Sequence, residues 1–275
     1  MSRRRSGAQD DWETDDIGRW TPSSIKCQSI GYRHLKLQFL HLERLTTTTN
    51  PPSSLISNMV LKLYGSGNST CTRRVGAVLR EKKIPFELVE VQLMKGEHKS
   101  PAFMEKQPFG QIPYIDDDGF ILYESRAICR YLEEKYHNQG PKLIPDDPKA
   151  KALFEQACSV ETSNFDSLVA KAVAEKVFKP YLGQTPDQAV FDELIKQLGP
   201  KLDAYEKILS KQKYVAGDEF TLADIFHLPY GALLSVAGSD ILTDTSRPNV
   251  ARWWKDITGR DSWQAVKDGK VESNA

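Results

Sequence analysis

Hydrophobic positions change period several times between Met59 and Tyr136. "VLKLYG" is a short apolar run ending at Gly65 and reads as a strand. In "TRRVGAVLREKK", Val75, Val78 and Leu79 fall at i, i+3 and i+4, one face of a helix. "PFELVEVQL" sets Val89, Val91 and Leu93 against Glu90 and Gln92, which predicts a strand. Two apolar runs flank Asp118-Gly119 in "IPYIDDDGFILYE", the mark of a hairpin. Helical spacing returns through Ile128, Tyr131 and Leu132. The predicted order is β-α-β, a connector, then β-β-α. The βαβ unit requires parallel strands and the hairpin adds an antiparallel one, so a mixed sheet with helices is expected.

"NQGPKLIPDDP" (138–148) is dense in turn residues and reads as a linker. Beyond it the spacing is helical throughout. "FTLADIF" is a helix start: Thr221 can cap, Asp224 can reach back, and Phe220 and Ile225 fit a hydrophobic staple. Pro229 and Gly231 are expected to bend or interrupt that helix.

Residues 1–58 differ. Arg3-Arg4-Arg5 precede the acids Asp10, Asp11, Glu13, Asp15 and Asp16, with no apolar core of a secretory signal and too many acids for a mitochondrial leader. "YRHLKLQFLHLERL" matches neither period cleanly. Two readings stand: a disordered extension, or a misplaced start with Met59 as the natural one. The expected division is 1–58 extension, 59–138 first domain, 139–148 linker and 149–275 helical domain.

Composition narrows the function. Lys+Arg and Asp+Glu both number 37, so net charge gives no reason to expect nucleic acid or an anionic membrane. No apolar run is long enough to span a bilayer. The four cysteines, Cys27, Cys71, Cys129 and Cys158, form no C-x-x-C pair and lie at no metal-ligand spacing from a histidine. Free thiols in a reducing compartment are expected, with no metal. The Asn68-Ser69-Thr70 glycosylation match is then accidental.

Four stretches, "STCTRRV", "GEHKSPAF", "PFGQIPYI" and "LYESRAICRYLEEKY", resemble the N-terminal domain of glutathione S-transferases, most of all the phi class of plants and its fungal relatives. "FTLADI" resembles the capping box of their helical C-terminal domain. The likeness runs from about Met59 to the C-terminus. It implies a thioredoxin-like α+β domain followed by an all-α domain, a cytoplasmic homodimer, glutathione as co-substrate, and a small hydrophobic electrophile.

Glutathione has two carboxylates, one ammonium and one thiol. Ser125, at a strand-to-helix junction, is a candidate N-cap, and the bare N–H groups there form an anion site. By resemblance that site takes the γ-glutamyl carboxylate, and Glu124 faces the ammonium. Gln111-Ile112-Pro113 carries the family's cis-proline, and the backbone of Ile112 pairs with the cysteinyl unit. His98 and Lys99 lie near the glycine carboxylate. Ser69 takes the place of the phi-class serine that hydrogen-bonds the sulfur, with Thr70 as runner-up. Cys71, about 200° round the helix from Ser69, is expected to be a small buried residue. Phe165, Val169 and Phe178 are candidate linings of the electrophile pocket. The alternatives are a thiol transferase or reductase using a cysteine, and a non-enzymatic ligand carrier. Detoxification and a step of secondary metabolism are both compatible with the sequence.

Overall fold

A computed structural model describes residues 60–273. The extension read over residues 1–58 lies outside the described residues. Strand β1 (Leu61–Gly65) leads into α1 (Thr70–Glu81) and β2 (Phe86–Glu90). Two 3-10 turns and the short α2 (Pro101–Met104) follow, then β3 (Tyr114–Asp117), β4 (Phe120–Tyr123) and α3 (Ser125–Lys135). The sheet order is β2-β1-β3-β4. β1 is parallel to β2 and antiparallel to β3, and β3 is antiparallel to β4. The expected mixed sheet is present.

Strand alternation divides the sheet into two faces. Leu61, Leu63 and Ile115 join Val75, Val78 and Leu79 of α1 and Ile128 and Leu132 of α3 in the main core. Tyr64 and Tyr114 belong to a smaller cluster, stacked at 4.4 Å, with Phe103 of α2 edge-on to Tyr114 at 5.2 Å. The hairpin turns at Asp118 (φ 55°) and Gly119 (φ 86°), both left-handed as a two-residue primed turn requires. β2 is shorter than its alternation predicts. Gln92 donates its N–H to the Glu97 carboxylate at 2.7 Å, and the chain turns at Leu93.

The second half is helical. α4 (Pro148–Val160) starts with Pro148 after the capping Asp147. It continues through a π-helical segment (Glu161–Asp166), α5 (Ser167–Val173), a second π segment (Ala174–Phe178) and α6 (Lys179–Tyr181). Then come α7 (Gln188–Leu209), α8 (Leu222–Val236), α9 (Pro248–Thr258) and α10 (Asp261–Gln264). The capping box at Thr221 and Asp224 is formed, and Asp224 also accepts from Val215 N–H and Trp253 Nε1.

Of the bend or interruption expected at Pro229 and Gly231, the interruption is absent: α8 runs on to Val236. The helix is buried along most of its length, and that packing outweighs one missing hydrogen bond. Gly231 has a different use: a Cβ there would lie 2.6 Å from the Trp254 ring, so its absence lets α9 close on α8.

The connector after α3 is tightly held. Glu133 accepts the Leu143 N–H at 3.1 Å and pairs with the buried Lys82 at 2.7 Å. Lys82 also donates to the carbonyl of Pro141, and the Leu143 carbonyl receives the N–H of Leu222 at the head of α8. These bonds join the sheet-bearing half to the helical half.

Candidate functional site

Three loops meet where α1 and α3 begin. Ser69 caps α1 with extended backbone and is half-buried. Its Oγ accepts the N–H of Thr72 at 3.3 Å. One lone pair is therefore used for capping, and the hydroxyl proton stays available to a ligand. Thr70 is buried as the first residue of α1. Cys71 corrects the expectation of a buried residue. It is half-buried, and Arg74 Nη1 donates to its sulfur at 3.5 Å. Cys129 and Cys158 are buried, and burial pushes both thiols up to about 12, which leaves them unreactive near neutral pH.

The second loop holds the cis Ile112–Pro113 bond. The β1–β3 ladder ends at the Tyr64–Tyr114 pair, so Ile112 lies beyond it. Gln111 is exposed and anchored through its N–H to the Gln107 side chain at 3.2 Å. Lys99 crosses Gly110 and donates to the carbonyl of Phe109 at 3.1 Å. Next to it, His98 has a buried Nδ1 with no hydrogen-bond partner.

The third is the start of α3. Glu124 occupies the cap position with φ 69°, and its side chain is exposed. This corrects the reading of Ser125 as N-cap: Ser125 is the first helical residue. Its buried hydroxyl accepts from Arg74 Nη1 at 2.8 Å. Left-handed backbone at a glutamate costs on the order of 1–3 kcal/mol, a strain that recurs at functional sites. The first N–H groups of α3 lack helical partners and form an anion-binding end.

Beneath α3 lies a charged layer that pattern reading missed. Arg126 grips the buried Glu161 carboxylate with Nε at 3.0 Å and Nη2 at 2.7 Å, and meets Asp166 at 3.3 Å. Arg74 is wholly buried and lies 3.8 Å from Asp166, with its Nε unpartnered. Burial works against the Arg126 cation, but the charge and hydrogen bond of Glu161, with the charge of Asp166 and a smaller effect of Cys71, raise the pKa overall. Burial, then Glu161, raises the carboxyl of Asp166. Close by, burial pushes the His227 imidazole down to about 4, so the neutral ring bridges Tyr205 and the Ala223 carbonyl.

The electrophile-side candidates separate. Phe165 and Val169 are fully buried core residues, Phe165 against Tyr205 and His227, so they cannot line an open pocket. Phe178 is half-buried and meets Tyr230 edge-on at 6.5 Å. Among the described residues no cluster of three or more His, Cys, Asp or Glu is placed to hold a metal, and no helix is long and apolar enough to cross a membrane.

Comparison with known proteins identifies the arrangement. Residues 59–134 match the family model for the glutathione S-transferase N-terminal domain, and 169–261 match that for the C-terminal domain. Glutathione S-transferase PM239X14 of Arabidopsis thaliana is 48% identical over 200 residues, covering 71% of this chain and 90% of that protein. The chain belongs to the glutathione S-transferase family. Glutathione transferase F7 from Populus trichocarpa superposes with a TM-score of 0.72 at 42% identity, over 77% of this chain and 99% of that one. Glutathione S-transferase I from mais, solved in complex with an atrazine glutathione conjugate, gives 0.70 at 32% identity, over 78% and 100%. The transferase fold thus has its sheet-bearing half first and its helical half second, as the motifs implied.

Proposed function

We propose that this glutathione transferase joins the thiolate of reduced glutathione to a small hydrophobic electrophile, and that the Ser69 hydroxyl stabilises the thiolate. The observation that carries this reading is Ser69 itself. It stands half-exposed at the head of α1, and its hydroxyl proton is free to donate. Three features support the rest of the site. Glu124 and the N-terminus of α3 offer a carboxylate and an anion site side by side, for the ammonium and carboxylate of the γ-glutamyl group. Ile112, beyond the end of the ladder, offers backbone to the cysteinyl unit. His98 has a buried nitrogen in want of a partner beside Lys99, where the glycine carboxylate would lie. Phe178 is left as the aromatic lining of the electrophile side. A homodimer in the cytoplasm, and the domain limits 59–138 and 149–275 about a 139–148 connector, belong to the same proposal.

Glutathione affinity tests the anion site. Glu124→Gln and Ser125→Ala should each weaken binding roughly ten- to a hundredfold, the worth of one charge-assisted hydrogen bond of about 1.5–3 kcal/mol. Ser125→Ala acts through Arg74, which loses its acceptor. Calorimetry reads both, and unchanged affinity in the two variants moves the site elsewhere. A second reading has one observation in its favour. Cys71 is half-buried in the first turn of α1, where a thiol transferase keeps its nucleophile. The substitution of Cys71 described below separates the two.

A further inference from the structure

The segment that follows α10 (265–273) lies along α1, and no residue of the proposed site belongs to it. At the foot of α1, Glu81 accepts from Arg260 Nε at 3.2 Å and from the Ser262 hydroxyl, both at the start of α10. Midway, Gly76 packs on the buried Val266 and Val271, where a Cβ would stand 3.0 Å from a Val271 methyl. Arg80 donates to the Glu272 carbonyl at 2.8 Å. At the head of α1 the segment turns at Gly269, with φ 79°. There it meets Gly67 backbone to backbone: a Cβ on Gly67 would overlap the Gly269 carbonyl oxygen, and one on Gly269 would stand 2.8 Å from Asn68 Oδ1.

Gly67 lies two residues before Ser69, in a loop that α1 clamps from its other side. Thr72 Oγ1 accepts the Ser66 N–H at 3.3 Å, and the Ser66 carbonyl accepts the Ser69 N–H at 2.9 Å. Arg73 Nε donates to the Gly67 carbonyl at 2.9 Å, and Arg73 also lies beside Gly269. Burial lowers the pKa of that guanidinium, and the charge of Asp268 offsets part of the effect. The loop that carries Ser69 thus has one wall from α1 and another from the turn at Gly269. We propose that this turn is a positioning element of the conjugation reaction: with Arg73 it fixes the backbone of Gly67, and through it sets the Ser69 hydroxyl against the sulfur of glutathione. The proposal rests on the reading of Ser69 as the group that stabilises the thiolate. Gly67, Arg73 and Gly269 act through Ser69. A reacting constellation has to be held to within about 0.5 Å, and a misplacement of about 1 Å can cost on the order of a hundredfold in rate. Any side chain at Gly67 forces a shift of the loop or of the turn.

The test titrates the ultraviolet absorbance of the bound glutathione thiolate against pH. It uses Gly67→Ala, Arg73→Met, Ser69→Ala and the double variant Ser69→Ala/Gly67→Ala beside the unaltered protein. Gly67→Ala should raise the thiol pKa by about one unit and lower the conjugation rate about tenfold on the acid side of the profile. Arg73→Met should shift it the same way. In the double variant, Gly67→Ala should add less than about 0.3 unit to the effect of Ser69→Ala, because the loop then has no hydroxyl to place. A full further shift would mean that the turn acts by another route, and an unmoved pKa in Gly67→Ala would make the contact mere packing. Either overturns the proposal. Arg80→Ala removes the hold on Glu272 and should leave the titration unchanged. An equal shift there would trace the effect to loosening of the whole segment, and overturns the proposal too. If Ser69→Ala itself leaves the pKa unmoved, the serine reading fails first and this inference falls with it. If Gly67→Ala does not fold, Arg73→Met, alone and with Ser69→Ala, carries the same comparison.

Discussion

Ser69→Ala should lower the conjugation rate at neutral pH by at least about tenfold and move the pH–rate profile upward by as much as about two units. A free thiol has a pKa of about 8.5, and at pH 7 only a few per cent of it is thiolate. Lowering that value by about two units takes roughly 2.7 kcal/mol. One hydrogen bond to the charged sulfur supplies about 1.5–3 kcal/mol. The N-terminus of α1, which Ser69 caps, adds about 0.3–1 kcal/mol. The two together meet the requirement, and removing the first leaves too little. The sign follows from the charge. Ser69 favours the ionised sulfur, so its loss raises the thiol pKa, and activity returns as pH rises. The substitution also removes a helix cap, at about 1 kcal/mol of stability, so melting temperature should be measured beside the rate. A loss of cap alone leaves the shape of the pH profile unchanged. Cys71→Ser should change neither rate nor profile appreciably. If it abolishes activity, or if Cys71 forms a mixed disulfide with glutathione during turnover, the thiol-transferase reading replaces this one.

The turns and helix starts are legible in the sequence, and the buried charges beneath α3 are not. Asp118-Gly119 announces its turn because only a left-handed pair closes it. Thr221 and Asp224 announce α8 because a cap needs an acceptor at that spacing. The roles of Glu124, Ile112 and Ser69 came from resemblance, since no periodicity points to a ligand. Glu161 and Asp166 were invisible for a physical reason. Five residues apart, they lie on different faces of a regular α-helix, and they converge on Arg126 because the segment between them is π-helical. The same segment carries Phe165 inward to Tyr205 and His227. A helical spacing of apolar residues cannot tell a core face from a pocket face, and so Phe165 and Val169 were misplaced. Arg74 did leave a signal. It lies four residues before Val78, on the buried side of α1, and a charge there requires a buried partner.

Arg126→Met should lower stability by about 3–5 kcal/mol, the cost of leaving one member of a buried ion pair without the other. For a domain of this size that is a fall in melting temperature of roughly 10 °C. The stranded group is Glu161, whose side chain is wholly buried and whose two oxygens both meet Arg126. Burial opposes its ionised form, yet its carboxyl is held below the ordinary range by His227, by the charge and hydrogen bond of Arg126, and by Arg74. The pH dependence distinguishes this from simple loss of packing. In the unaltered protein the depressed carboxyl contributes stability above its unfolded pKa of about 4.3, lost as pH falls through the folded value. In the variant, burial without the guanidinium favours the protonated acid, so the penalty grows as pH rises above about 4.3. The gap between the two melting temperatures should therefore be widest near neutral pH and narrow toward pH 4. A gap under about 2 °C, or one that does not change with pH, would deny the pair its role. Glutathione affinity should fall in the same variant, because Arg126 is the second residue of α3 and its grip on Glu161 holds the helix end at which the proposed Glu124 and Ser125 site lies. Affinity that survives while stability drops would separate the charged layer from the binding site above it.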